Sequence, residues 1–238
     1  MGGPARREAR EFLDTPGQDP HELSQLLLDI RRANHRYGGR RLVLRYLEAL
    51  LPQISRRPIA LLDVATGGAD IPAAVAAWAE AHAIQVRVVG IDLSPEILTI
   101  ARDAIAPSRA ITLVRADALR LPFADGTFDV VICGLALHHF TLPNGAAILR
   151  EIDRVAREAF VVHDIVRSWP AYAGAWLDTR LFARSRLARH DGPVSVLRSF
   201  TLPELHGMVR LAAIPRVELH TMPMFRVALV RRPDGGRV

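Results

Sequence analysis

Residues 59–70 read Ile59-Ala60-Leu61-Leu62-Asp63-Val64-Ala65-Thr66-Gly67-Gly68-Ala69-Asp70. The apolar run from Ile59 to Val64 follows Arg56-Arg57-Pro58 and ends in small residues, which predicts a buried strand feeding a tight turn. Ala-rich residues 71–83 supply the helix after it. The same rhythm then recurs: a strand over 86–91, a helix over 95–105, strands over 111–114 and 128–135, a helix over about 144–155 and a strand over 159–165. Strands joined through helices must run parallel, because a parallel pair needs a crossover of a dozen or more residues. The chain is therefore predicted to be α/β, a doubly wound, mostly parallel sheet with helices on both faces. Residues 216–221 and 225–230 break the rhythm. Only Met222-Pro223-Met224 joins them, so they pair antiparallel, a C-terminal hairpin completing a seven-stranded sheet.

Outward from this core, Leu23, Leu26, Leu27 and Ile30 fall at i, i+3, i+4 and i+7, an amphipathic helix stopped by Gly38-Gly39. A second helix lies between Arg40 and Pro52, and together 22–57 form an N-terminal helical lid region. Residues 1–21, rich in Gly and Pro, are expected to be a mobile arm with at most a short helical turn. After the fifth strand, 166–200 form a helical insert: an amphipathic helix carrying Trp169, Tyr172, Trp176 and Phe182, then a loop at Asp191-Gly192-Pro193. Thr201-Leu202-Pro203-Glu204 is a capping box that opens a helix running to about Ala213.

With 238 residues, half of them hydrophobic and 24% charged, the chain has ample material for one large domain over 22–238, and disorder is excluded. The net charge of +6 is built entirely from Arg, and the Arg pairs are scattered rather than gathered into a phosphate-tracking stripe. A lone Cys133 fits a reducing compartment. No apolar run reaches the roughly 20 residues of a membrane span, nor does the N-terminus hold a signal-peptide core. The expected location is cytoplasmic.

In open α/β sheets, ligands bind beyond the carboxyl ends of the strands. Here three successive strands end in an acid: Asp63, followed by a small-residue turn; Asp92, within Gly90-Ile91-Asp92-Leu93-Ser94; and Asp117, within Arg115-Ala116-Asp117-Ala118. A carboxylate at the second position can accept both hydroxyls of a ribose; one at the third can accept from an exocyclic amine. Each acid alone is as readily a helix cap, so the ordered set carries the argument. A nicotinamide-dependent dehydrogenase shares this pattern but needs Gly-x-Gly-x-x-Gly. Those positions are Ala65, Gly67 and Asp70, and a carboxylate at the last would repel a pyrophosphate.

The stretch 61–68, with 90–94 and 116–131, resembles the class I S-adenosylmethionine-dependent methyltransferases, most nearly the small-molecule enzymes of quinone and polyketide-type pathways. The resemblance covers about 58–165 and implies a Rossmann-like fold and S-adenosyl-L-methionine as cofactor. Asp63 with Ala65, Thr66, Gly67 and Gly68 would face the methionine part, Asp92 and Leu93 the ribose, Asp117 and Ala118 the adenine, and Gly134 and Leu135 the amino group. One departure is clear: the family's Gly-x-Gly-x-Gly stands here with Ala65 and Ala69 at its outer positions.

Methyl transfer is an in-line displacement at an activated carbon, so the protein supplies alignment and, for a hydroxyl acceptor, a base. His138 and His139 follow the fourth strand where such a base belongs, His138 being preferred; the plain alternative is a packing or capping role. His163, Tyr172 and Trp176 are the expected acceptor contacts, while Asn34, His35 and Tyr37 are candidates to close over the cofactor. Asp164 borders the same cleft. The insert's Arg180, Arg184, Arg186 and Arg189 read mainly as a solvated face. Residues 134–139 lack the Pro-Pro-aromatic motif of base-modifying relatives. The expected partner is a small, aromatic or polyketide-like acceptor, methylated on oxygen in preference to carbon, with no nucleic acid and no metal. An RNA or DNA methyltransferase, a non-catalytic cofactor-binding protein and, last, a nicotinamide-dependent dehydrogenase are the alternatives.

Overall fold

The computed structural model describes residues 3–105 and 110–233. Seven strands, β1 (Ile59–Val64), β2 (Val86–Asp92), β3 (Ile111–Arg115), β4 (Phe128–Gly134), β5 (Ala156–Ile165), β6 (Val217–Met222) and β7 (Arg226–Arg231), form one sheet in the order β3-β2-β1-β4-β5-β7-β6. The first five run parallel, whereas β7 is antiparallel to both β5 and β6. The order reverses between β1 and β4, which opens a crevice at their carboxyl ends.

Among the described residues, eight α-helices surround the sheet: α1 (Pro20–Arg36), α2 (Gly39–Leu50), α3 (Asp70–Ala81), α4 (Pro95–Ala104), α5 (Leu142–Val155), α6 (Trp169–Phe182), α7 (Arg186–Arg198) and α8 (Leu202–Ala212). Strand alternation divides the core in two. Ile59, Leu61, Val130, Ile132, Val161 and Ala228 pack with Leu47 of α2 and Val75 of α3 on one face. Leu62, Val64, Val131, Phe160, Val162 and Leu229 pack with Leu149 of α5 and Leu205 of α8 on the other. The capping box of α8 forms as read, with Thr201 and Glu204 bonding reciprocally. Among the described residues, no helix is long and apolar enough to cross a membrane.

Two parts differ from the sequence reading. Asp191-Gly192-Pro193 is not a loop but lies inside α7. Gly192 serves a helix crossing there, since a Cβ on it would sit 2.5 Å from Thr179 Cγ2 of α6. The Asp191 carboxylate accepts the backbone N–H groups of Phe12 and Leu13 at 2.9 and 3.0 Å. Residues expected to form a free arm are thereby held on the body. Arg6 donates to the carbonyls of Arg198 and Phe140 and lies over the Phe200 ring, while Glu11 accepts from Ser195 and is buried. Tertiary contacts of this kind override local turn composition.

Candidate functional site

A cavity of about 1050 Å³ lies above the carboxyl ends of β1, β2, β4 and β5, under a roof made by the N-terminal segment, the end of α1 and α6. Its floor starts at the turn after β1. Ala65, Gly67 and Ala69 all take left-handed φ, at 56°, 53° and 55°. Only glycine adopts that region freely, so the two alanines preserve the turn's shape at a cost in strain. Thr66 Oγ1 donates to Asp63 Oδ2 at 2.6 Å. Asp92 reaches back from β2: its Oδ2 accepts from Gly67 N at 3.0 Å and its Oδ1 from Ser94 N at 3.1 Å.

Asp63 is buried and Asp92 half-buried beside the same turn, with Asp70 at the start of α3. Burial, then Thr66 acting against it, then the charges of Asp70 and Asp92 bring the Asp63 carboxyl up to about 8. Burial likewise raises Asp70 and Asp92 against their hydrogen bonds. Three crowded carboxylates of this kind seek a cation. Asp117 is exposed at the cavity mouth and accepts from Leu119 N at 2.9 Å.

Beyond β4, Gly134 leaves room for a neighbour, since a Cβ there would sit 2.5 Å from His163 Nε2. Leu135 takes φ 56° and donates its N–H to the His163 carbonyl at 2.8 Å. His138 is buried. Its Nδ1 lies 2.8 Å from Asp164 Oδ1 and its backbone N–H donates to Asp164 Oδ2 at 3.0 Å. Burial works to raise Asp164, but the His138 ring and the N–H groups of His138 and Ile165 bring its carboxyl below the ordinary value. An ionised Asp164 fixes the Nδ1–H tautomer, which leaves Nε2 as the open, basic nitrogen.

That nitrogen faces Glu11 Oε1 at 3.8 Å. Burial pushes the Glu11 carboxyl up to about 7 despite His139, Ser195 and Arg198. His139 Nδ1 lies 2.7 Å from Asp14 Oδ1; burial opposes ionisation of Asp14, but His139 and Arg198 hold it at about 2. Glu11, His138 and His139 place ligand atoms within 4.8 Å of one another. Arg198, 3.5 Å from Glu11 Oε1, already supplies a cation to this cluster.

Every residue expected at the cofactor lines the cavity, from Asp63 and the turn 65–68 to Asp92, Leu93, Asp117, Ala118, Gly134 and Leu135; so do His138, His139 and His163. Tyr172 and Trp176 do not. At 100° per residue they fall on the outer side of α6, where Trp176 is 42% exposed and stacks with Arg180 at 3.8 Å. Ala171, Ala175, Leu177, Asp178, Leu181 and Phe182 of the same helix face the cavity instead. Asn34 and Tyr37 also line it, with Tyr37 Oη and Arg36 bonded to Asp178 to tie α1 to α6, whereas His35 is exposed. Composition gave no signal for Glu11, Asp14 or Arg226 as site residues. Strand alternation alone could have separated Asp164 from His163, since neighbours on β5 point to opposite faces.

A sheet with this order, bearing acids at three consecutive strand ends and a terminal antiparallel strand, is that of a doubly wound α/β protein with its cleft at the carboxyl ends of the strands. A family model described as a methyltransferase domain matches residues 62–159. Demethylmenaquinone methyltransferase of Anoxybacillus flavithermus is 34% identical over 191 residues, 73% of this chain and 78% of that protein. The same enzyme of Deinococcus radiodurans is 39% identical over 88 residues, 37% of this chain and 35% of that protein. In seven such relatives the matched stretch spans 35–46% of the relative's length. An O-methyltransferase family 2 protein from Planctomyces limnophilus, solved with apigenin, shares the fold at 19% identity, with a TM-score of 0.63 over 92% of this chain and 63% of that one. The chain belongs to the S-adenosylmethionine-dependent methyltransferase family.

Proposed function

We propose that the protein transfers a methyl group from S-adenosylmethionine to a hydroxyl of a small aromatic or polyketide-like acceptor. The observation that carries this reading is the trio Asp63, Asp70 and Asp92 around a turn of small residues. Asp70 and Asp92 supply a negative potential that Asp63 joins when a cation draws off its proton, which favours a ligand bearing ammonium and sulfonium charges and opposes a pyrophosphate. The residues present fit the cofactor: an acid-rich turn for its ammonium end, a half-buried carboxylate for its ribose, and an Asp117 oxygen for its base. When bound, the cofactor supplies an electrophilic methyl. The cavity slightly exceeds the usual ligand-pocket range of roughly 300–1,000 Å³, which leaves room for an acceptor beside it.

In this reading the chain's own groups align and deprotonate. Asp164 orients His138, whose Nε2 takes the acceptor's hydroxyl proton as the new oxygen–carbon bond forms, and α1, α6 and the N-terminal segment keep water out. The O-methyltransferase among the structural neighbours and the quinone-pathway relatives support a small cyclic acceptor. Labelled methyl from S-adenosylmethionine is expected to appear on oxygen when the protein is incubated with a panel of phenols and hydroquinones. Transfer to carbon alone would remove the oxygen assignment, and binding without transfer to any acceptor would remove the catalytic one.

Asp63 also sets a pH dependence. A cationic ligand stabilises its ionised form, so binding releases a proton wherever the free carboxyl is still protonated, which is below about 8. Affinity for S-adenosylmethionine, measured by calorimetry, should rise with pH toward 8, and Asp63→Asn should flatten that rise.

A further inference from the structure

Beyond β5, the sheet ends in two buried side chains that keep polar atoms unpartnered among the described residues. Arg226 opens β7, is 5% exposed and lines the cavity. Its Nε donates to the Tyr37 carbonyl at 3.1 Å, and its Nη1 has no partner among the described residues. His163 is 1% exposed, and neither of its ring nitrogens has a partner among the described residues. Register puts the two on one face: His163 lies opposite Ala228, and Ile165 opposite Arg226. Ala228 and Val161 pack in the same core, so Arg226 and His163, each two residues further along, point to the same side.

The acid whose charge reaches Arg226 is Asp164. It belongs to the opposite face of β5 and is already engaged by His138. Asn34 Oδ1 is near, with a Cβ on Gly39 falling 2.9 Å from it and 3.1 Å from Arg226 Nη1, but an amide brings no charge. A guanidinium withdrawn from water without a counter-ion is strongly unfavourable, and a bound anion relieves it. His163 adds to the pull on such a group, because its neutral ring can donate one hydrogen bond to it: burial, then Arg226, push the imidazole down to about 3.

Position along the sheet says which molecule carries the anion. In the methyltransferase reading, on which this inference rests, the cofactor occupies the ends of β2, β1 and β4. Arg226 lies two strands past β4 and three past β1, at about 4.8 Å per strand. His163 abuts Gly134 at the end of β4, so the pair borders the cofactor's place on the side away from β2, where the acceptor must lie. We propose that Arg226 and His163 form a subsite that holds a carboxylate of the methyl acceptor, which selects aromatic acids over their neutral counterparts.

The probes are 2-naphthoate and 2-naphthamide, alike in shape and different in charge, titrated by calorimetry into protein saturated with S-adenosylhomocysteine. Wild type should bind the acid at least tenfold more tightly than the amide. Arg226→Met should erase that preference while S-adenosylhomocysteine affinity stays within twofold, and Arg226→Lys should retain part of it. Equal binding of acid and amide by wild type overturns the proposal without recourse to any variant, so the test survives a poorly folded Arg226→Met. A tenfold loss of S-adenosylhomocysteine affinity in a folded Arg226→Met also overturns it, by assigning the guanidinium to the cofactor's own carboxylate. Failure of wild type to bind S-adenosylhomocysteine is a separate result that removes the methyltransferase reading and this subsite with it.

Discussion

Asp92→Ala should weaken S-adenosylhomocysteine binding by more than tenfold. Both oxygens of this half-buried carboxylate already order the site, one taking Gly67 N–H in the turn after β1 and the other Ser94 N–H ahead of α4. Each oxygen keeps lone pairs free, so the same group can also receive ribose hydroxyls. Alanine removes those acceptors and releases the turn at once. Hydrogen bonds to charged groups contribute about 1.5–3 kcal/mol each, and tenfold in affinity is about 1.4 kcal/mol. Loss of one ribose contact is therefore enough to reach the stated effect. Calorimetry reads it directly, with a thermal melt to show that the fold persists; unchanged affinity would refute the ribose assignment.

His138→Ala should lower kcat on a hydroxyl acceptor by about 10²–10⁴-fold, the usual span for a positioned base, while cofactor affinity changes little. Asp164→Asn should lower kcat at least tenfold, because an amide no longer holds the ring in the tautomer that opens Nε2. His139→Ala should cost far less: its Nδ1 is drawn to Asp14, on the N-terminal segment. Equal losses for His138→Ala and His139→Ala would point to packing, since their rings lie 4.3 Å apart. Full kcat in a folded His138→Ala would leave alignment as the chain's whole contribution.

The strands were legible because burial on both faces demands continuous apolar runs, and β1 begins and ends where its sequence says it does. The acids at the strand ends were legible for the same reason, since a strand's last residue is fixed once the strand is. What escaped depended on contacts far apart in sequence. Asp191-Gly192-Pro193 has the composition of a turn, yet Thr179 needs the space at Gly192 and the N-terminal segment needs the Asp191 carboxylate. Tyr172 and Trp176 were sought as acceptor contacts for their aromaticity, but helix phase turns them outward. Arg226 is one of many arginines, and the packing of β7 against β5 is what reveals that it is buried, with Nη1 unbonded among the described residues.

A crystal structure of the protein with S-adenosylhomocysteine tests most directly where the nucleoside lies. It should show the ribose hydroxyls within hydrogen-bond distance of Asp92, the base beside Asp117, and the amino acid end over the turn between Asp63 and Asp70. Ribose density away from the end of β2, or a ligand outside this cavity, would contradict it.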